Sequence, residues 1–410
     1  MYRRRAVMSG LKVAARLGLN ESNLPVLFIL TDAFLWYYLN LNTLAAVSAS
    51  SEMDYLSLVS VNALGVIIAA MLGLLFANNR RKLLFFWTFL GFVTPLLPFL
   101  GSLVTLPYFQ VVSIVWGFSF GLGMPSCLGF FTESVKIENR GRFSGLALFV
   151  AFSGAVIISE FAKVFDVWAL FLSLSILRLL GFVPLLNLNI EKRSLKLTRN
   201  MVASVFGRRL HLFLIPWFTF NIIDLLEGLL LRNLVRDQFS EYYVLIQLIS
   251  LLFLGVFVFL GGLCSDLFGR KPVIVFGFSI MGIAYAVVSI VPHVLFAWFF
   301  FSICEGLALG SFYTVFIAVI WGDLAPEGSK ELYYFIGSLP FFLATILQLP
   351  LAGYMMLLNE TSAFSLAAFF LFLTVLPILF APETLPEKKI LERQVKDYVE
   401  KAKKLKDKYA

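Results

Sequence analysis

The most informative segment of this sequence is Gly262-Leu263-Cys264-Ser265-Asp266-Leu267-Phe268-Gly269-Arg270-Lys271-Pro272. It holds two glycines, one acid, two adjacent bases and a proline, and a long apolar run flanks it on each side. A helix needs about 20 apolar residues to cross the hydrocarbon core of a bilayer. The stretch is therefore predicted to be a short cationic turn between two membrane-spanning helices.

The composition of the whole chain also indicates a membrane protein. Of its 410 residues, 60% are hydrophobic and 14% are charged, and the mean hydropathy is +0.88. A soluble protein of this length could not bury so much apolar surface. The apolar runs are too long for strands and lack a two-residue alternation. The sequence thus predicts an all-α polytopic membrane protein.

Twelve apolar runs are long enough to span a bilayer, and they divide the chain into two halves. The first six lie near 24–46, 55–77, 83–104, 107–132, 143–162 and 165–188, and the second six lie near 211–232, 242–264, 272–291, 293–322, 333–357 and 362–381. The predicted parts are a cytoplasmic leader at 1–23, a six-helix bundle at 24–188, a cytoplasmic linker at 189–210, a second six-helix bundle at 211–381 and a cytoplasmic charged tail at 382–410.

The lysines and arginines determine the predicted orientation, because cytoplasmic loops carry an excess of them. If the N-terminus is cytoplasmic, all but four of the 33 bases lie in inner segments. The exceptions are Lys163, Arg232 and Arg236 on the outside and Arg178 within a span. We therefore expect a multi-pass protein of the cell (plasma) membrane with both termini in the cytoplasm.

Several functional classes find no support in the sequence. The two histidines and three cysteines lie in or beside apolar segments, which predicts no metal site. No phosphate-binding loop and no nucleophile-histidine pattern occurs, so we expect neither an enzyme nor a cofactor. The net charge of +8 is concentrated in the predicted inner segments. It therefore favours membrane topology over nucleic-acid binding.

Corresponding spans of the two halves end in the same spacing of acid and base. Glu133 is followed seven residues later by Arg140 after the fourth span, and Asp323 is followed in the same way by Lys330 after the tenth. Two parallel six-helix repeats are a known layout of transporters. The sequence therefore predicts an internal duplication.

The turns after the second and eighth spans are related as well. Gly73 precedes the cluster Arg80-Arg81-Lys82 as Gly262 precedes Arg270-Lys271, but Ala77 stands at the position of Asp266. The first copy of the turn has thus lost its acid. We expect Asp266 to be important in the second copy, whereas the Arg80–Lys82 cluster is expected to serve mainly membrane topology.

These motifs resemble those of the major facilitator superfamily of secondary transporters. The segment 262–271 is similar to a loop signature of the superfamily, and the segments 133–142, 323–330 and 382–384 are similar to sugar-porter-type members. The Pro-Glu-Ser segment that sugar porters usually carry after the sixth span is replaced here by residues 187–193. The resemblance covers about residues 24–384 and implies twelve transmembrane helices in two six-helix bundles, with alternating access.

The charged turns are predicted to form a cytoplasmic gate. An acid at a helix end can pair with loop arginines through charge-assisted hydrogen bonds and so stabilise a closed state. The predicted gate residues are Gly262, Asp266, Gly269, Arg270, Lys271, Glu133, Arg140, Asp323 and Lys330. The alternative, that the bases only determine topology, stays open.

Polar residues inside the spans are candidates for a transport pathway, because charges within a bilayer are costly. The predicted pathway residues are Asp32, Arg178, Asn221, Asp224, Glu305 and Gln348. Burial disfavours the charged form of a carboxylate, so Asp32, Asp224 or Glu305 could carry a proton. For Arg178 the alternative is a structural pair with an acid elsewhere in the bundle.

The sequence therefore predicts a monomeric secondary active transporter for a small organic solute such as a sugar or an organic acid, working by proton-coupled symport. The expected partners are this solute, protons and the lipid bilayer. One alternative is an exporter of amphipathic compounds, against which Ser113 counts, since many proton-coupled exporters of the superfamily carry an arginine in this span. The other is a membrane sensor that keeps the fold without transporting.

Overall fold

The computed structural model of the protein describes residues 23–51, 53–101, 106–164, 166–186, 205–355, 357–386 and 395. These residues are mostly helical and contain no strand. The predicted leader, linker and charged tail lie almost entirely outside the described residues. Their boundaries therefore stay predictions.

Fifteen α-helices, joined by short turns, make up the described part of the chain. In the first half they are α1 (Leu24–Ser51), α2 (Tyr55–Phe76), α3 (Arg80–Val93), α4 (Leu106–Gly121), α5 (Met124–Ser134), α6 (Arg140–Lys163), α7 (Val167–Leu180) and α8 (Phe182–Leu186). In the second half they are α9 (Arg208–Gln238), α10 (Tyr243–Phe268), α11 (Arg270–Ile290), α12 (Leu295–Phe312), α13 (Ile320–Leu324), α14 (Lys330–Met355) and α15 (Glu360–Phe380). A π-helix (Tyr313–Val319) joins α12 to α13, and 3₁₀ helices occur at Ala77–Asn79, Thr94–Leu100, Ile137–Asn139 and Ser240–Tyr242.

Eleven helical segments of the described residues are long and apolar enough to cross a membrane. The second of them, Tyr55–Leu100, has 46 residues. A helix of that length would extend about 70 Å, more than twice the thickness of the hydrocarbon core. This segment must therefore fold back or leave the membrane.

Contacts with α4 show the direction of α2. A Cβ placed at Gly65 would lie 2.3 Å from the carbonyl oxygen of Ile114, and one placed at Gly73 would lie 2.0 Å from that of Leu122. The backbones of the two helices thus touch at glycines, as is common between membrane helices. Because residue numbers rise together along the contact, α2 and α4 are parallel.

The direction of α3 is opposite to that of α4. The indole nitrogen of Trp87 donates to the carbonyl oxygen of Phe120 at 2.8 Å, and that of Trp116 donates to the carbonyl oxygen of Thr94 at 2.9 Å. The chain therefore turns back between α2 and α3, at the 3₁₀ helix Ala77–Asn79. With this turn the eleven segments make the twelve crossings that the sequence predicts.

The two halves of the chain meet along helices of corresponding position. The first half's α6 lies against α10, where a Cβ on Gly262 would lie 2.2 Å from the carbonyl oxygen of Gly141. The first half's α2 lies against α14, where the Ser60 hydroxyl donates to the carbonyl oxygen of Thr345 at 3.2 Å. These two seams enclose the space between the halves.

Candidate functional site

Asp266 joins the two halves at one end of the molecule. Its buried carboxylate accepts from the backbone nitrogens of Gly141 and Arg142, each at 2.9 Å, and from Arg142 Nε at 3.2 Å. It also accepts from Arg270 Nη1 at 2.7 Å. The first turn of α6 has unsatisfied N–H groups and the positive end of the helix dipole, so it favours a carboxylate there. Asp266 thus attaches the end of α10 to the start of α6.

Asp323 lies between two arginines, one from each half of the chain. Its fully buried side chain accepts from Arg140 Nη1 at 2.5 Å and from Arg270 Nε at 3.3 Å. Arg270 also donates to the carbonyl oxygens of Ser265 and Ile137, both at 2.6 Å. Arg270 of the second half therefore bonds to the backbone of the first half, and Arg140 of the first half bonds to Asp323 of the second half.

A second acid covers the start of α11. Glu383 accepts from the backbone nitrogens of Arg270 at 2.9 Å and Lys271 at 3.0 Å. Lys271 Nζ donates to the carbonyl oxygen of Leu379 at 2.6 Å. Gly269 precedes the helix with φ = 105°, a conformation that favours glycine, and a Cβ there would lie 2.5 Å from a Glu383 oxygen. The glycine of the turn is thus required by geometry.

Arg80 is held in the corresponding turn of the first half, which corrects our expectation that the Arg80–Lys82 cluster serves mainly topology. The side chain of Arg80 is buried, bonds Glu133 Oε2 at 2.7 Å and forms a second ion pair with Glu331. Glu331 is the second residue of α14. The sequence analysis did not predict the pair of Arg80 and Glu331, because Ala77 stands where the motif has its acid. An acid at the start of the eleventh span was the signal that could have found the pair.

Neutral groups also join the halves at this end. The Thr132 hydroxyl and the Tyr334 hydroxyl are 2.5 Å apart, and Tyr334 also donates to the carbonyl oxygen of Ala318 at 2.7 Å. Lys330, another predicted gate residue, begins α14 beside Glu331. We call this end, which the sequence predicts to face the cytoplasm, the inner end, and its ion pairs the inner-end cluster. The cluster consists of Arg80, Glu133, Arg140, Arg142, Asp266, Arg270, Asp323 and Glu331.

A cavity of about 200 Å³ lies between the halves next to the inner-end cluster. Aromatic side chains form most of its wall, with Tyr37 stacked on Phe120 at 4.0 Å and Trp217 on Phe316 at 4.7 Å between ring centroids. The lining residues are Phe34, Tyr37, Tyr38, Leu41, Val66, Ala70, Phe120, Met124, Pro125, Leu128, Phe152, Trp217, Tyr313, Phe316, Ile317, Trp321, Tyr334, Gly337, Ser338, Phe341 and Phe342. None of these carries a charge or an amide. We call this space the aromatic cavity.

A cavity of about 440 Å³ lies toward the opposite end, bounded by α9, α10 and α12. It is lined by Asp224 and Glu305 together with Gln247 and Ser250. The Ser250 hydroxyl donates to Glu305 Oε2 at 2.7 Å. We call this space the acidic cavity. It contains two of the six predicted pathway residues.

Asp32 and Arg178 lie away from both cavities. Arg178 Nη1 donates to Asp32 Oδ2 at 2.6 Å, and Arg178 is fully buried. Its guanidinium group lies 4.1 Å from the ring centroid of Trp87 and 5.5 Å from that of Trp36, which adds cation–π attraction. The structure thus presents the arrangement left open by the sequence, a buried pair between α1 and α7 inside the first half.

Asn221 and Gln348 also lie outside the lining of the two cavities. Asn221 Nδ2 donates to the carbonyl oxygen of Trp217 at 2.6 Å, and Gln348 Nε2 donates to that of Leu225 at 2.5 Å. Both amides thus bond to the backbone of α9. Asn221 bonds within its own helix, whereas Gln348 joins α14 to α9, the helix that carries Asp224.

The π-helix places aromatic residues in the aromatic cavity. Tyr313 and Phe316 belong to this segment and both line the cavity, while Leu309, one turn earlier, lines the acidic cavity. Short π-helical segments occur frequently at functional sites. A uniformly apolar run carries no sequence signal for this change of helix type.

Structures of known proteins share this fold. The proton:xylose symporter XylE bound to 6-bromo-6-deoxy-D-glucose superposes with a TM-score of 0.68 at 16% identity, over 88% of this chain and 96% of XylE. A partially occluded inward-open form of XylE from E. coli gives 0.61 at 17%, over 89% and 99%. The human organic anion transporter MFSD10 (TETRAN) gives 0.63 at 14%, over 87% and 98%. At these identities the likeness concerns the fold alone.

A comparison of sequences assigns the family. No curated protein matches this chain. The family model of the Major Facilitator Superfamily matches residues 200–407, just over half of the 410 residues. Because the match covers the whole second bundle, and twelve crossings in two related halves agree with it, the chain belongs to the Major Facilitator Superfamily of secondary transporters.

Proposed function

We propose that this protein moves a small organic solute across the plasma membrane by alternating access, as a proton-coupled symporter. The observation that carries the proposal is the inner-end cluster, which joins the two halves next to a cavity between them. A solute in the aromatic cavity is separated from the inner end by these ion pairs. We propose no enzymatic step.

Opening of the inner end requires the contacts between halves to break. These contacts are Asp266 with the start of α6, Arg140 with Asp323, and Arg80 with Glu331. A ligand shifts such an equilibrium only by its difference in affinity for the two states, and a shift from 1:99 to 99:1 needs about 5.5 kcal/mol. Solute and proton together must therefore favour the open state by a few kcal/mol.

Asp224 and Glu305 are the proposed proton carriers. Both line the acidic cavity and are the charged side chains of its lining. Asp32 is the other candidate, because protonation would release its bond to Arg178. A proton on one of these groups would allow one conformation, and its loss would allow the other.

The test uses purified protein in liposomes with an imposed pH gradient. A solute is first selected by ligand-induced thermal shift from sugars, organic acids, amino acids and organic cations. We expect Asp224→Asn or Glu305→Gln to abolish gradient-driven accumulation and to leave solute exchange intact. Glu241→Gln, at an exposed residue, is the matched control. Unchanged accumulation in D224N, E305Q and D32N would exclude proton coupling through these groups.

The orientation is part of the proposal. We infer that both termini are cytoplasmic and that the protein works as a monomer. Support comes from the bases, which are concentrated in the segments at the inner end. Protease protection of tags at either terminus in sealed cells measures this orientation directly.

A second candidate function is export of amphipathic compounds. The uncharged aromatic wall of the aromatic cavity favours it, since such a wall binds apolar rings better than polyols. The direction of solute flow separates the candidates. An inward proton gradient drives accumulation by a symporter and extrusion by an antiporter.

A further inference from the structure

We propose that the solute is a ring-bearing organic amine, because an aromatic cavity with unpartnered hydrogen-bonding groups adjoins an acidic cavity along one pathway. This rests on the proposed transport function and names its substrate class. Four observations carry the inference: the lining of the aromatic cavity, its unpartnered groups, the charges of the acidic cavity and the place where the two meet.

The lining of the aromatic cavity is unsuited to a sugar or a carboxylate. Burying a hydroxyl group without a hydrogen-bond partner is unfavourable, and a pyranose carries several hydroxyl groups. The lining offers neither carboxylate nor amide groups for them, and it offers no cation to a carboxylate. Aromatic faces instead attract apolar rings and ammonium groups, the latter by cation–π interaction within about 6 Å.

The aromatic cavity also has polar groups that the protein itself leaves unused. Trp321 is 1% exposed, lines the cavity and has an indole nitrogen without a hydrogen-bond partner among the described residues. Tyr37 and Tyr313 line the same cavity, and the hydroxyl group of neither forms a hydrogen bond with another described residue. Buried polar groups are normally paired. These three suit a ligand that has one or two polar atoms on a ring.

The acidic cavity favours a positive charge. Asp224 and Glu305 line it beside the aromatic rings of Tyr243 and Trp298. Asp224 and Glu305 are the charged residues of its lining, and both are acids. Clefts lined by one sign of charge concentrate the opposite ion. A cation therefore gathers here more readily than an anion.

The two cavities adjoin at α12 and the π-helix. Leu309 lines the acidic cavity and Tyr313, one turn later, lines the aromatic cavity. An amine that leaves the carboxylates would therefore meet the ring of Tyr313 first. The stacked pair of Trp217 and Phe316 lies further along the same wall. We place the ring of the bound solute in the aromatic cavity, with its ammonium group toward Asp224 and Glu305.

The test compares compounds that share one ring and differ in charge. Full-length purified protein is titrated with tryptamine, tryptophol and indole-3-acetate, which are a cation, a neutral alcohol and an anion, and with D-xylose. Calorimetry and thermal unfolding report binding. We expect tryptamine to bind about tenfold tighter than tryptophol, with no binding of indole-3-acetate or xylose. Binding of xylose or indole-3-acetate as tight as that of tryptamine, or no binding of any indole, overturns the proposal.

Variants of the two cavities distinguish the contribution of the solute's ring to binding from that of its charge. Phe316→Ala should weaken tryptamine and tryptophol alike, whereas Asp224→Asn with Glu305→Gln should remove only the preference for tryptamine. Phe296→Ala, an exposed phenylalanine of α12, is the control. Phe316→Leu replaces the first variant if the alanine fails to fold. Equal weakening by Phe296→Ala and Phe316→Ala contradicts the assignment.

Transport is measured separately so that the two proposals can fail independently. If another class of solute accumulates in liposomes while the indoles do not bind, the amine assignment fails and transport stands. If tryptamine binds as expected but no counterflow of labelled tryptamine occurs, the binding site stands and the transport function fails.

Discussion

The turn after α10 and the turn after α2 have corresponding places in the two halves, yet they join the halves in opposite ways. In the α10 turn the acid crosses the interface, since Asp266 of the second half binds the start of α6. In the α2 turn the base crosses it, since Arg80 of the first half binds Glu331 of α14. Ala77, at the position of Asp266, is buried and provides no charge.

Both turns thus form ion pairs between the halves, although only the α10 turn contains the acid of the motif. Glu331 lies in the first turn of α14, where the helix dipole favours an acid, and it is therefore well placed to replace the lost carboxylate of the α2 turn. An ion pair between the halves needs one charged residue from each half, and it forms equally well whichever half provides the acid. Substitutions in and around each of the two turns test this conclusion.

The largest effect is expected at Asp266. Asp266→Ala leaves Arg270 and the first N–H groups of α6 buried without this acceptor, and removing one member of a buried pair costs about 3–5 kcal/mol. The measurement is the reaction of Ser338→Cys, in the aromatic cavity, with an impermeant maleimide added at the inner end, after the three native cysteines are changed to serine. We expect at least tenfold faster labelling, since about 1.4 kcal/mol is tenfold.

The control for Asp266 is its neighbour. Leu267→Ala changes a half-exposed apolar side chain of the same turn and should leave the labelling rate unchanged. Labelling of the Asp266→Ala variant at the original rate would show that this acid does not hold the inner end closed.

A smaller effect is expected at Glu331. Glu331→Gln removes one charge from Arg80, which keeps Glu133, so we expect labelling to increase by less than in Asp266→Ala. Adding Ala77→Asp to this variant restores an acid to the α2 turn and should slow the labelling again. Glu327→Gln, at an exposed residue of the preceding turn, is the control. If Ala77→Asp fails to rescue, the two acids are not equivalent.

The smallest effect is expected from the backbone of the two turns. Gly269 has φ = 105° and Asn79, which precedes α3 in the same way, has φ = −110°. Gly269→Ala should cost about 1–3 kcal/mol, because only glycine adopts that conformation readily. Asn79→Ala should leave stability almost unchanged. Thermal unfolding in detergent compares the two, and equal melting temperatures would contradict the role of the glycine.

Sequence reasoning succeeded for features that depend on short stretches of chain. The apolar runs predicted all twelve crossings, including the two within Tyr55–Leu100. The turn at 262–272 led to the superfamily. The predicted role of Arg80 was wrong because its partner Glu331 is 251 residues away in the sequence, and no local pattern links the two.

The predicted pathway residues show the same limit of prediction from local sequence. Asp32 and Asp224 are both acids within apolar spans, yet Asp32 binds Arg178 inside one bundle and Asp224 lines a cavity. A helix that is apolar on every side carries no stripe that shows which face turns inward. The sequence could therefore identify the charged candidates, but it could not show which of them line a cavity and which form buried ion pairs.

The apolar runs and the positions of the charges were enough to predict that this chain crosses the membrane as helices with charged turns between them. A bilayer accepts long apolar helices whose backbone groups are hydrogen-bonded, and it leaves charges at its surfaces. Which charges meet across the two halves, and which rings enclose a cavity, became visible in the folded structure. Those outcomes depend on how helices distant in sequence pack and rotate against one another, and a uniformly apolar surface does not encode that rotation.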